Sequence, residues 1–211
     1  MTGKIITFEG IDGSGKTTQI NLLEQKFIQE HIPYVILREP GGTKLSEKIR
    51  NILLNRKNIH LSPSVESLLF VAARAQLMEE KIIPALKRDQ FVICDRFADS
   101  TVAYQGYGRR LNVEYLEELN KFATNNFQPD LTIILDVDPE KASLRMGNDV
   151  PDRMESTGID FFLRVREGYY AIARRYPLRC VIINGDKPES EVFKSIMKEV
   201  NNKLLKAMPC S

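Results

Sequence analysis

The chain has few of the residues that build metal centres and disulfide scaffolds. Its 211 residues include three cysteines and two histidines. Cys94, Cys180 and Cys210 are odd in number and show no C-x-x-C spacing, and neither His31 nor His60 lies in a ligand-like cluster. The sequence therefore predicts no disulfide framework and no structural metal site. Free thiols indicate a reducing compartment, and we expect the protein to be cytoplasmic.

Charge of one sign and long hydrophobic runs are also missing. Thirty basic residues nearly balance 28 acidic ones, and the formal net charge of +2 creates no field that would attract nucleic acid or an anionic membrane. No apolar run approaches the roughly 18 residues that cross a bilayer. The first strand-like run begins at Lys4, which leaves no room for a cleavable signal. We expect a soluble protein without nucleic acid or a membrane as partner.

Internal repeats, low-complexity tracts and linkers rich in proline or glycine are absent as well. The length and the 43% hydrophobic content suit one compact core, so we expect a single domain over residues 1–211. Residues 146–158 differ from the rest because they combine polar and turn residues with little apolar periodicity. We expect this segment to form a mobile lid.

Short apolar runs alternate with longer amphipathic stretches along the chain. The runs predict strands at 5–8, 34–37, 91–94, 131–135 and 180–183. The stretches predict helices at 17–30, 45–54, 64–87, 114–125, 139–145, 159–176 and 189–206. This alternation predicts an α/β fold of three layers, with a five-stranded parallel sheet flanked by helices. Ligands of such sheets bind beyond the carboxyl ends of the strands.

The most specific pattern is a glycine-rich run between the first predicted strand and helix, Gly10-Ile11-Asp12-Gly13-Ser14-Gly15-Lys16-Thr17, followed by Thr18. It matches the P-loop pattern G-x-x-x-x-G-K-[ST] in the context that this motif requires. Backbone N–H groups of such a loop surround phosphate oxygens, the lysine contacts the β- and γ-phosphates, and the threonine hydroxyl binds Mg²⁺. The alternative is a flexible glycine turn before a helix. The pattern favours a nucleoside triphosphate site.

Charged side chains follow the predicted strands directly. Arg38-Glu39-Pro40 follows the second strand, and Asp95-Arg96 follows the third. A carboxylate in the position of Asp95 supports Mg²⁺ in P-loop enzymes, and a neighbouring arginine suits phosphate groups. A plain surface ion pair is the alternative for Asp95 and Arg96. Asp136, after the fourth strand, is a rival for the carboxylate role, but no arginine adjoins it.

Arginines near the strand ends indicate a second anion site that faces the P-loop. A kinase for a phosphorylated acceptor needs such a site, whereas an ATPase or GTPase does not. The candidates, chosen because guanidinium groups bind phosphate oxygens in pairs, are Arg38, Arg50, Arg74 and Arg96. Phe70 and Arg74 are four residues apart on a predicted helix, so they share a face that suits a pyrimidine base. The alternative is a core aromatic beside a solvated arginine. Residues 100–109 combine hydroxyl, amide and aromatic groups that suit contacts with base edges and a sugar. The alternative, from composition alone, is a polar surface loop.

Taken together, these motifs resemble the thymidylate kinase family. The shared segments run in the family's order from residue 5 to about 185 and are Phe8-Glu9-Gly10 with the P-loop, Arg38-Glu39-Pro40-Gly41-Gly42-Thr43, Leu69-Phe70-Val71-Ala72-Ala73-Arg74, Asp95-Arg96-Phe97, Ala103-Tyr104-Gln105-Gly106 and Pro129-Asp130-Leu131-Thr132. The resemblance implies the P-loop NTPase fold and an enzyme that transfers the γ-phosphoryl group of ATP to dTMP, giving dTDP and ADP for dTTP synthesis. It also implies Mg²⁺ as cofactor and a homodimer built from helix faces.

The resemblance further implies roles for individual residues. Thymine would stack on Phe70, while its polar edge would contact Arg74, Thr101 and Gln105. The other acceptor-site residues implied are Asp12 near the 3′-hydroxyl, Tyr104 near the sugar, Arg38, Arg50 and Arg96 at the phosphate, and Glu39 and Pro40 beside them. Arg145 would pack on adenine. The candidate Mg²⁺ ligands are Thr17, Asp95 and Glu9.

Catalysis in such a site needs no general base, since a phosphate monoester arrives largely as a dianion. Lys16, Arg96 and Mg²⁺, supported by Asp95, would neutralise the transferring phosphoryl group. Some family members carry a further catalytic arginine inside the P-loop, where this chain has Gly13, and others carry it in the lid. The chain resembles the bacterial lid type, with Arg153 as the candidate. Phe97 stands where tyrosine or histidine is frequent, and the lid has few arginines.

Two other classes of function remain as alternatives. A kinase for another nucleoside monophosphate or for a free deoxynucleoside would use the same scaffold, and the latter would need a carboxylate base such as Glu9, Asp12 or Glu39. A P-loop nucleotide switch or binding protein is the second alternative. The guanine-binding Asn-Lys-x-Asp pattern is incomplete at Asn120-Lys121, which disfavours the switch.

Overall fold

Strands alternate with helices along the chain. The computed structural model describes residues 3–58, 60–147, 153–154 and 157–205. The strands are β1 (Ile5–Glu9), β2 (Tyr34–Arg38), β3 (Phe91–Asp95), β4 (Leu131–Asp136) and β5 (Cys180–Asn184). The helices are α1 (Lys16–Gln29), α2 (Lys44–Leu54), α3 (Pro63–Leu77), α4 (Ile83–Lys87), α5 (Ala98–Thr101), α6 (Val113–Ala123), α7 (Pro139–Met146), α8 (Ile159–Arg175) and α9 (Glu189–Val200). Three π-helical segments extend them, Met78–Ile82, Val102–Gly108 and Asn201–Leu205, and a 3₁₀ turn spans Arg56–Asn58.

The five strands form one parallel sheet in the order β2-β3-β1-β4-β5. At the carboxyl end of the central strand, Phe8 lies opposite Asp95 of β3 and Ile133 of β4. The loop that follows β1 therefore lies beside the loops that follow β3 and β4. This register brings the P-loop and the Asp95-Arg96 pair to the same edge of the sheet, where ligands of parallel sheets bind.

Helices cover both faces of the sheet. Ile6 and Phe8 pack in an apolar cluster with residues of α1 and α9. Ile5 packs in a second cluster with Leu77, Ile82 and neighbouring residues between α3 and α4. Successive residues of a strand point to opposite faces, so the two clusters lie on opposite sides of the sheet. The predicted three-layer α/β fold is confirmed.

The long helix predicted at 64–87 is divided into three parts. α3 ends at Leu77, a π-helical segment spans Met78–Ile82, and α4 begins at Ile83. The break precedes Pro84, which has no N–H to donate and whose ring crowds the preceding turn. A π-bulge relieves this conflict without ending the helical course of the chain.

The segment after Arg96 is helical, so the alternative of a polar surface loop is wrong. α5 and the π-helical segment span residues 98–108, and most of their side chains are buried. Gly108 lies so close to α8 that an added Cβ would come within 2.5 Å of the Phe161 ring. Direct packing on α8 therefore fixes this segment beside the carboxyl ends of the strands.

Part of the predicted lid lies outside the described residues. Of residues 146–158, the structure describes 146–147, 153–154 and 157–158. No helix in the described part of the chain combines the length and the apolar character needed to cross a membrane. Cys94 and Cys180 are buried free thiols, whereas Cys210 lies outside the described residues.

Candidate active site

The P-loop connects β1 to α1 in a conformation that depends on glycine. Gly13 has a φ of 77°, and an added Cβ would lie 2.3 Å from the carbonyl oxygen of Ala142 in α7. Gly15 adopts a left-handed conformation at the N-cap of α1. The loop therefore presents its backbone at the positive end of a helix, which favours phosphate groups.

Lys16 is held inside this loop. Its Nζ donates to the carbonyl oxygens of Gly10 at 3.2 Å and Ile11 at 3.0 Å. Burial, together with the nearby positive charge of Arg96, lowers the pKa of Lys16 to about 8. An anionic ligand beside the ammonium group would stabilise its charged form.

A large cavity opens above the P-loop, and we call it the donor cavity. Its walls contain residues 12–19 of the P-loop and α1, Arg38, Glu39, Arg50, Asp95, Arg96, Arg145, Met146, Gly185, Lys187, Pro188, Glu189 and Val192. Arg145 is positioned there by donating to the carbonyl oxygen of Gly185 and to Asp186, each at 3.1 Å. The structure thus brings the predicted adenine-packing residue to the same cavity as the P-loop.

Arg96 lies at the junction between the donor cavity and a second pocket, which we call the acceptor pocket. Its Nη2 contacts Asp12 Oδ1 at 2.7 Å and the Tyr104 hydroxyl at 2.9 Å, and its Nη1 donates to the Gly10 carbonyl oxygen. Burial alone would raise the pKa of Asp12, but Arg96 and Lys16 outweigh it and lower the pKa to about 2. The alternative of a surface pair between Asp95 and Arg96 is not supported, because the partner of Arg96 is Asp12.

The acceptor pocket contains most of the residues predicted for the monophosphate. Its walls are formed by Asp12, Glu39, Pro40, Arg50, Leu54, Phe70, Arg74, Arg96, Phe97, Ser100, Thr101, Tyr104, Gln105 and Met154. Phe70 is only partly buried, so its ring is accessible to a planar ligand. The pocket therefore combines an aromatic wall with charged groups at the end nearest the P-loop.

Arg74 differs from its expected role as a free donor to the base. It is 1% exposed, and its guanidinium contacts Glu39, Thr101, Asn120 and the Phe97 carbonyl oxygen. Four of the five N–H groups of this arginine donate hydrogen bonds, and Nη2 also lies 2.7 Å from Glu39 Oε2. Direct donation to a ligand would require one of these contacts to break. The alternative of a solvated Arg74 is also wrong, because the side chain is buried.

Glu39 lies between Arg74 and the two cavities. Its Oε2 accepts from Arg74 Nε at 2.8 Å, while its Oε1 is buried and has no hydrogen-bond partner among the described residues. Burial raises the pKa of Glu39 despite the charge of Arg74. The unpaired oxygen belongs to a side chain that lines both cavities, as expected for a residue that meets a ligand.

The remaining phosphate candidates, Arg38 and Arg50, converge on the loop after β2. Both donate through Nη1 to the Pro40 carbonyl oxygen, at 3.3 Å and 2.9 Å. Arg38 also donates through Nη2 to both carboxylate oxygens of Glu47, each at 3.0 Å. Arg50 lines both cavities, whereas Arg38 lines only the donor cavity. The structure therefore places Arg50 closer to the acceptor than Arg38.

Two of the three predicted Mg²⁺ ligands fit the ion. Thr17 and Asp95 both line the donor cavity beside Lys16, and Mg²⁺ typically takes one or two protein ligands together with substrate phosphates and water. Asp136, the rival carboxylate, is committed to Arg166 at 2.7 and 2.9 Å and to the Tyr170 hydroxyl. No group of three or more metal-ligating side chains occurs among the described residues, so the phosphates would have to complete the site.

Glu9 does not line the donor cavity in this structure, and its role as an Mg²⁺ ligand stays a prediction. It is fully buried at the end of β1, and its oxygens accept from the Phe97 N–H at 2.8 Å, the Ser100 hydroxyl at 2.5 Å and the Tyr169 hydroxyl at 2.9 Å. Burial, followed by the charge of Asp99, raises the pKa of Glu9 to about 7. Glu9 instead holds the chain that leaves β3, directly beyond Arg96.

Arg153 does not reach the donor cavity. It is 8% exposed, and its Nη1 pairs with Glu66 at 2.6 Å while its Nε donates to the Leu53 carbonyl oxygen at 2.6 Å. In this structure the side chain is held away from the donor cavity, and its contact with the transferring phosphoryl group stays a prediction. An arginine in a polar segment is expected from the sequence to be free to contact a ligand. In the structure, the buried carboxylate of Glu66 on α3 binds Arg153.

Glu66, Leu54 and Met154 were not predicted as functional residues from the sequence. Leu54 and Met154 line the acceptor pocket, and nothing in their local pattern indicates this. Glu66 precedes Phe70 by four residues and Arg74 by eight, so helical periodicity places it on the same face of α3. The spacing of Glu66 from Phe70 and Arg74 could therefore have indicated from the sequence that Glu66 lies near the acceptor pocket.

A P-loop cavity that shares Arg50 and Arg96 with a second, arginine-lined pocket defines an ATP-dependent nucleoside monophosphate kinase. The family model described as thymidylate kinase matches residues 8–196. The chain belongs to the thymidylate kinase family.

Individual relatives agree with this assignment along nearly the whole chain. A thymidylate kinase from Thermoanaerobacter sp. (strain X514) is 46% identical over 204 residues, which cover 97% of this chain and 100% of the relative. One from Pelotomaculum thermopropionicum is 47% identical over 200 residues, covering 94% of this chain and 93% of the relative. A crystal structure of thymidylate kinase from Ehrlichia chaffeensis matches with a TM-score of 0.78 at 38% identity, covering 94% of this chain and 98% of that one.

Proposed function

We propose that this chain transfers the γ-phosphoryl group of ATP to dTMP and releases ADP and dTDP. The observation that carries the proposal is the position of Arg96, which lines both the donor cavity and the acceptor pocket. One guanidinium fork at this junction suits oxygens of the acceptor phosphate and of the transferring group together.

The donor cavity has the groups that ATP requires. Backbone N–H groups of the P-loop and the N-terminus of α1 would hold the β- and γ-phosphates, and the Lys16 ammonium would leave the carbonyl oxygens of Gly10 and Ile11 to meet them. Arg145, held beside Gly185, would pack on the adenine ring. Thr17 and Asp95 would hold Mg²⁺, which supplies charge neutralisation on the β- and γ-phosphate oxygens.

The acceptor pocket suits a pyrimidine nucleoside monophosphate. Phe70 would stack on the base, and Arg50 and Arg96 would hold its phosphate. Tyr104, whose hydroxyl contacts Asp12 at 3.2 Å and Arg96 at 2.9 Å, would lie near the sugar and disfavour a 2′-hydroxyl group. Thr101 and Gln105 line the pocket on the base side.

The chemistry follows from the charge of the acceptor. A phosphate monoester has a second pKa of about 6, so at neutral pH its attacking oxygen is already deprotonated. That oxygen forms the new bond to the γ-phosphorus, the bond to the β-bridging oxygen breaks, and ADP leaves with the electron pair. No residue has to remove a proton, so the enzyme contributes alignment and neutralisation of charge by Lys16 and Arg96.

A coupled ATP-consumption assay with a panel of nucleosides and nucleoside monophosphates tests the proposal. We expect dTMP to give the highest kcat/KM. Preference for dCMP, dUMP or another monophosphate would keep the kinase and reject the substrate. Preference for free thymidine would indicate a deoxynucleoside kinase, and hydrolysis without any acceptor would favour a nucleotide switch.

We further propose a cytoplasmic, single-domain homodimer. Exposed apolar side chains occur on α2, α3 and α6, and α3 contacts both of the other helices. These side chains include Ile52, Val65, Leu68, Tyr115 and Phe122. Exposed apolar side chains on neighbouring helices are typical of an interface. Light scattering after gel filtration should give twice the monomer mass, and a Leu68→Glu variant should give one.

A further inference from the structure

One buried carboxylate joins three segments behind the acceptor pocket. Glu66 of α3 is 1% exposed. It accepts from Gln105 Nε2 at 2.9 Å, from Arg109 at 3.2 and 3.3 Å, and pairs with Arg153 at 2.6 Å. Gln105 lines the acceptor pocket, whereas Glu66 does not. Glu66 therefore acts on any ligand only through the side chains that it holds.

The contact with Glu66 fixes the orientation of the Gln105 amide. An ionised carboxylate only accepts hydrogen bonds, so the nitrogen end of the amide must face it. Because Nε2 is the amide atom that contacts Glu66, the other atom, Oε1, points away from this carboxylate. Gln105 consequently presents an acceptor to the pocket. This matches a base whose ring nitrogen carries a proton, as N3 of thymine does, and opposes cytosine, whose N3 is itself an acceptor.

The same carboxylate also secures an apolar part of the pocket wall, formed by Leu54 and Met154. Arg153 is held by Glu66 and by the carbonyl oxygen of Leu53, and its backbone N–H donates to the carbonyl oxygen of Leu54. The next residue, Met154, lines the acceptor pocket, as does Leu54. Arg153 and Arg109 both place a guanidinium nitrogen near the Met154 sulfur, at 3.4 and 3.8 Å. The apolar wall therefore depends on the charge of Glu66.

We propose that Glu66 is a positioning residue that sets the base specificity of the acceptor pocket. It turns the oxygen of Gln105 toward the base, and it fixes Met154 through Arg153. The inference rests on the proposed function, because it assumes a pyrimidine in this pocket. A site built to hydrogen-bond a particular substrate group discriminates strongly against an analogue that leaves its own polar group unpaired.

Substitution Glu66→Gln tests this role. The new amide keeps its oxygen toward Arg153 Nη1 and Arg109 Nη2, which contact Oε2 of Glu66, so its nitrogen faces Gln105 and Arg109 Nε at the Oε1 position. Gln105 would then turn its own oxygen toward position 66 and present its nitrogen to the base, which favours cytosine over thymine. We expect the ratio of kcat/KM for dTMP to that for dCMP to fall at least roughly 10-fold, mainly through a higher KM for dTMP.

Asp99→Asn is the matched control. Asp99 is another buried carboxylate, paired with Arg179 at 2.6 Å, and it lies outside both cavities. Its substitution should lower the melting temperature without changing the dTMP/dCMP ratio. If Glu66→Gln lowers the melting temperature and leaves the ratio at the wild-type value, Glu66 is merely structural and the proposal is overturned.

Glu66→Asp is a second variant that tests the proposal if Glu66→Gln does not fold. The shorter carboxylate keeps a charge for Arg109 and Arg153 but withdraws from Gln105, so we expect an intermediate loss of the ratio. An unchanged ratio in this variant would also overturn the proposal. The substrate panel with the wild-type enzyme tests the proposed function separately, because that test depends on the preferred acceptor and not on the change between variants.

Discussion

Arg96 and Asp12 form an ion pair of 2.7 Å where the donor cavity meets the acceptor pocket. Asp12 belongs to the P-loop and Arg96 follows β3, so the pair connects two neighbouring strand ends of the sheet. Arg96 has a φ of 69°, a conformation that is uncommon for a residue with a side chain. Its backbone N–H donates to the Phe8 carbonyl oxygen, and this contact with β1 secures the backbone at that position.

Replacing Arg96 should therefore affect the chemical step more than binding of ATP. We expect Arg96→Ala to lower kcat by roughly 10²- to 10³-fold, as loss of one preorganised charge donor does in other enzymes. Steady-state kinetics with ATP and dTMP measure this effect. Arg174→Ala, at an exposed arginine of α8, is the control and should leave kcat unchanged. A kcat within threefold of wild type in Arg96→Ala would remove this residue from the catalytic group.

Gly13 should not tolerate a side chain. In Gly13→Ala the new methyl group would meet the Ala142 carbonyl oxygen at 2.3 Å, and the positive φ adds a backbone penalty of about 1 kcal/mol. We expect weaker ATP binding and a lower melting temperature, measured by calorimetry.

Gly147→Ala separates these two causes. Gly147 also has a positive φ, 68°, but an added Cβ would have open space. Its ψ of −142° lies outside the left-handed region, so this variant has a backbone penalty but no contact with Ala142. An equal loss of ATP binding in the two variants would mean that the contact with α7 is unimportant.

The sequence predicted the parts of the site that depend on strand order and local motifs. Once β1 and β3 were recognised as parallel strands, Lys16, Asp95 and Arg96 had to meet at one edge of the sheet. The roles of Glu9 and Arg153 could not be predicted in this way, because each depends on partners far away in the chain. Tyr169, which binds Glu9, and Glu66, which binds Arg153, are brought in by helix packing.

Arg74 shows the same limit at a residue that was placed correctly. Its spacing from Phe70 located it at the pocket, but the number of its donors already in use depends on Glu39, Thr101 and Asn120. Those three residues come from three separate segments. Spacing along one helix predicts which way a side chain points. How many N–H groups of a guanidinium already donate to other residues depends on the whole fold.

Glu9 should make stability depend on pH. Its pKa is raised from 4.5 to about 7 on folding, so the native protein binds more protons than the unfolded chain between these values. The free energy of unfolding contributed by this group therefore falls as pH rises through this window. We expect Glu9→Gln to remove a loss on the order of 3 kcal/mol between pH 5 and pH 8, as an upper bound. Urea denaturation at both pH values measures it, and identical pH profiles in the two proteins would contradict it.

Two roles of Arg153 predict different kinetic effects of its substitution, one on KM for dTMP and the other on kcat. If it is held by Glu66 as the structure shows, Arg153→Ala loosens Met154, and we expect KM for dTMP to rise roughly 10-fold with kcat nearly unchanged. If it instead leaves Glu66 to contact the phosphoryl group, kcat should fall by roughly 10²- to 10³-fold at constant KM. Arg153→Lys keeps the charge opposite Glu66 but has no second nitrogen branch for the Leu53 carbonyl oxygen, so partial recovery of KM is expected only in the first case. Initial rates at varied dTMP and saturating ATP, for both variants, decide between the two roles.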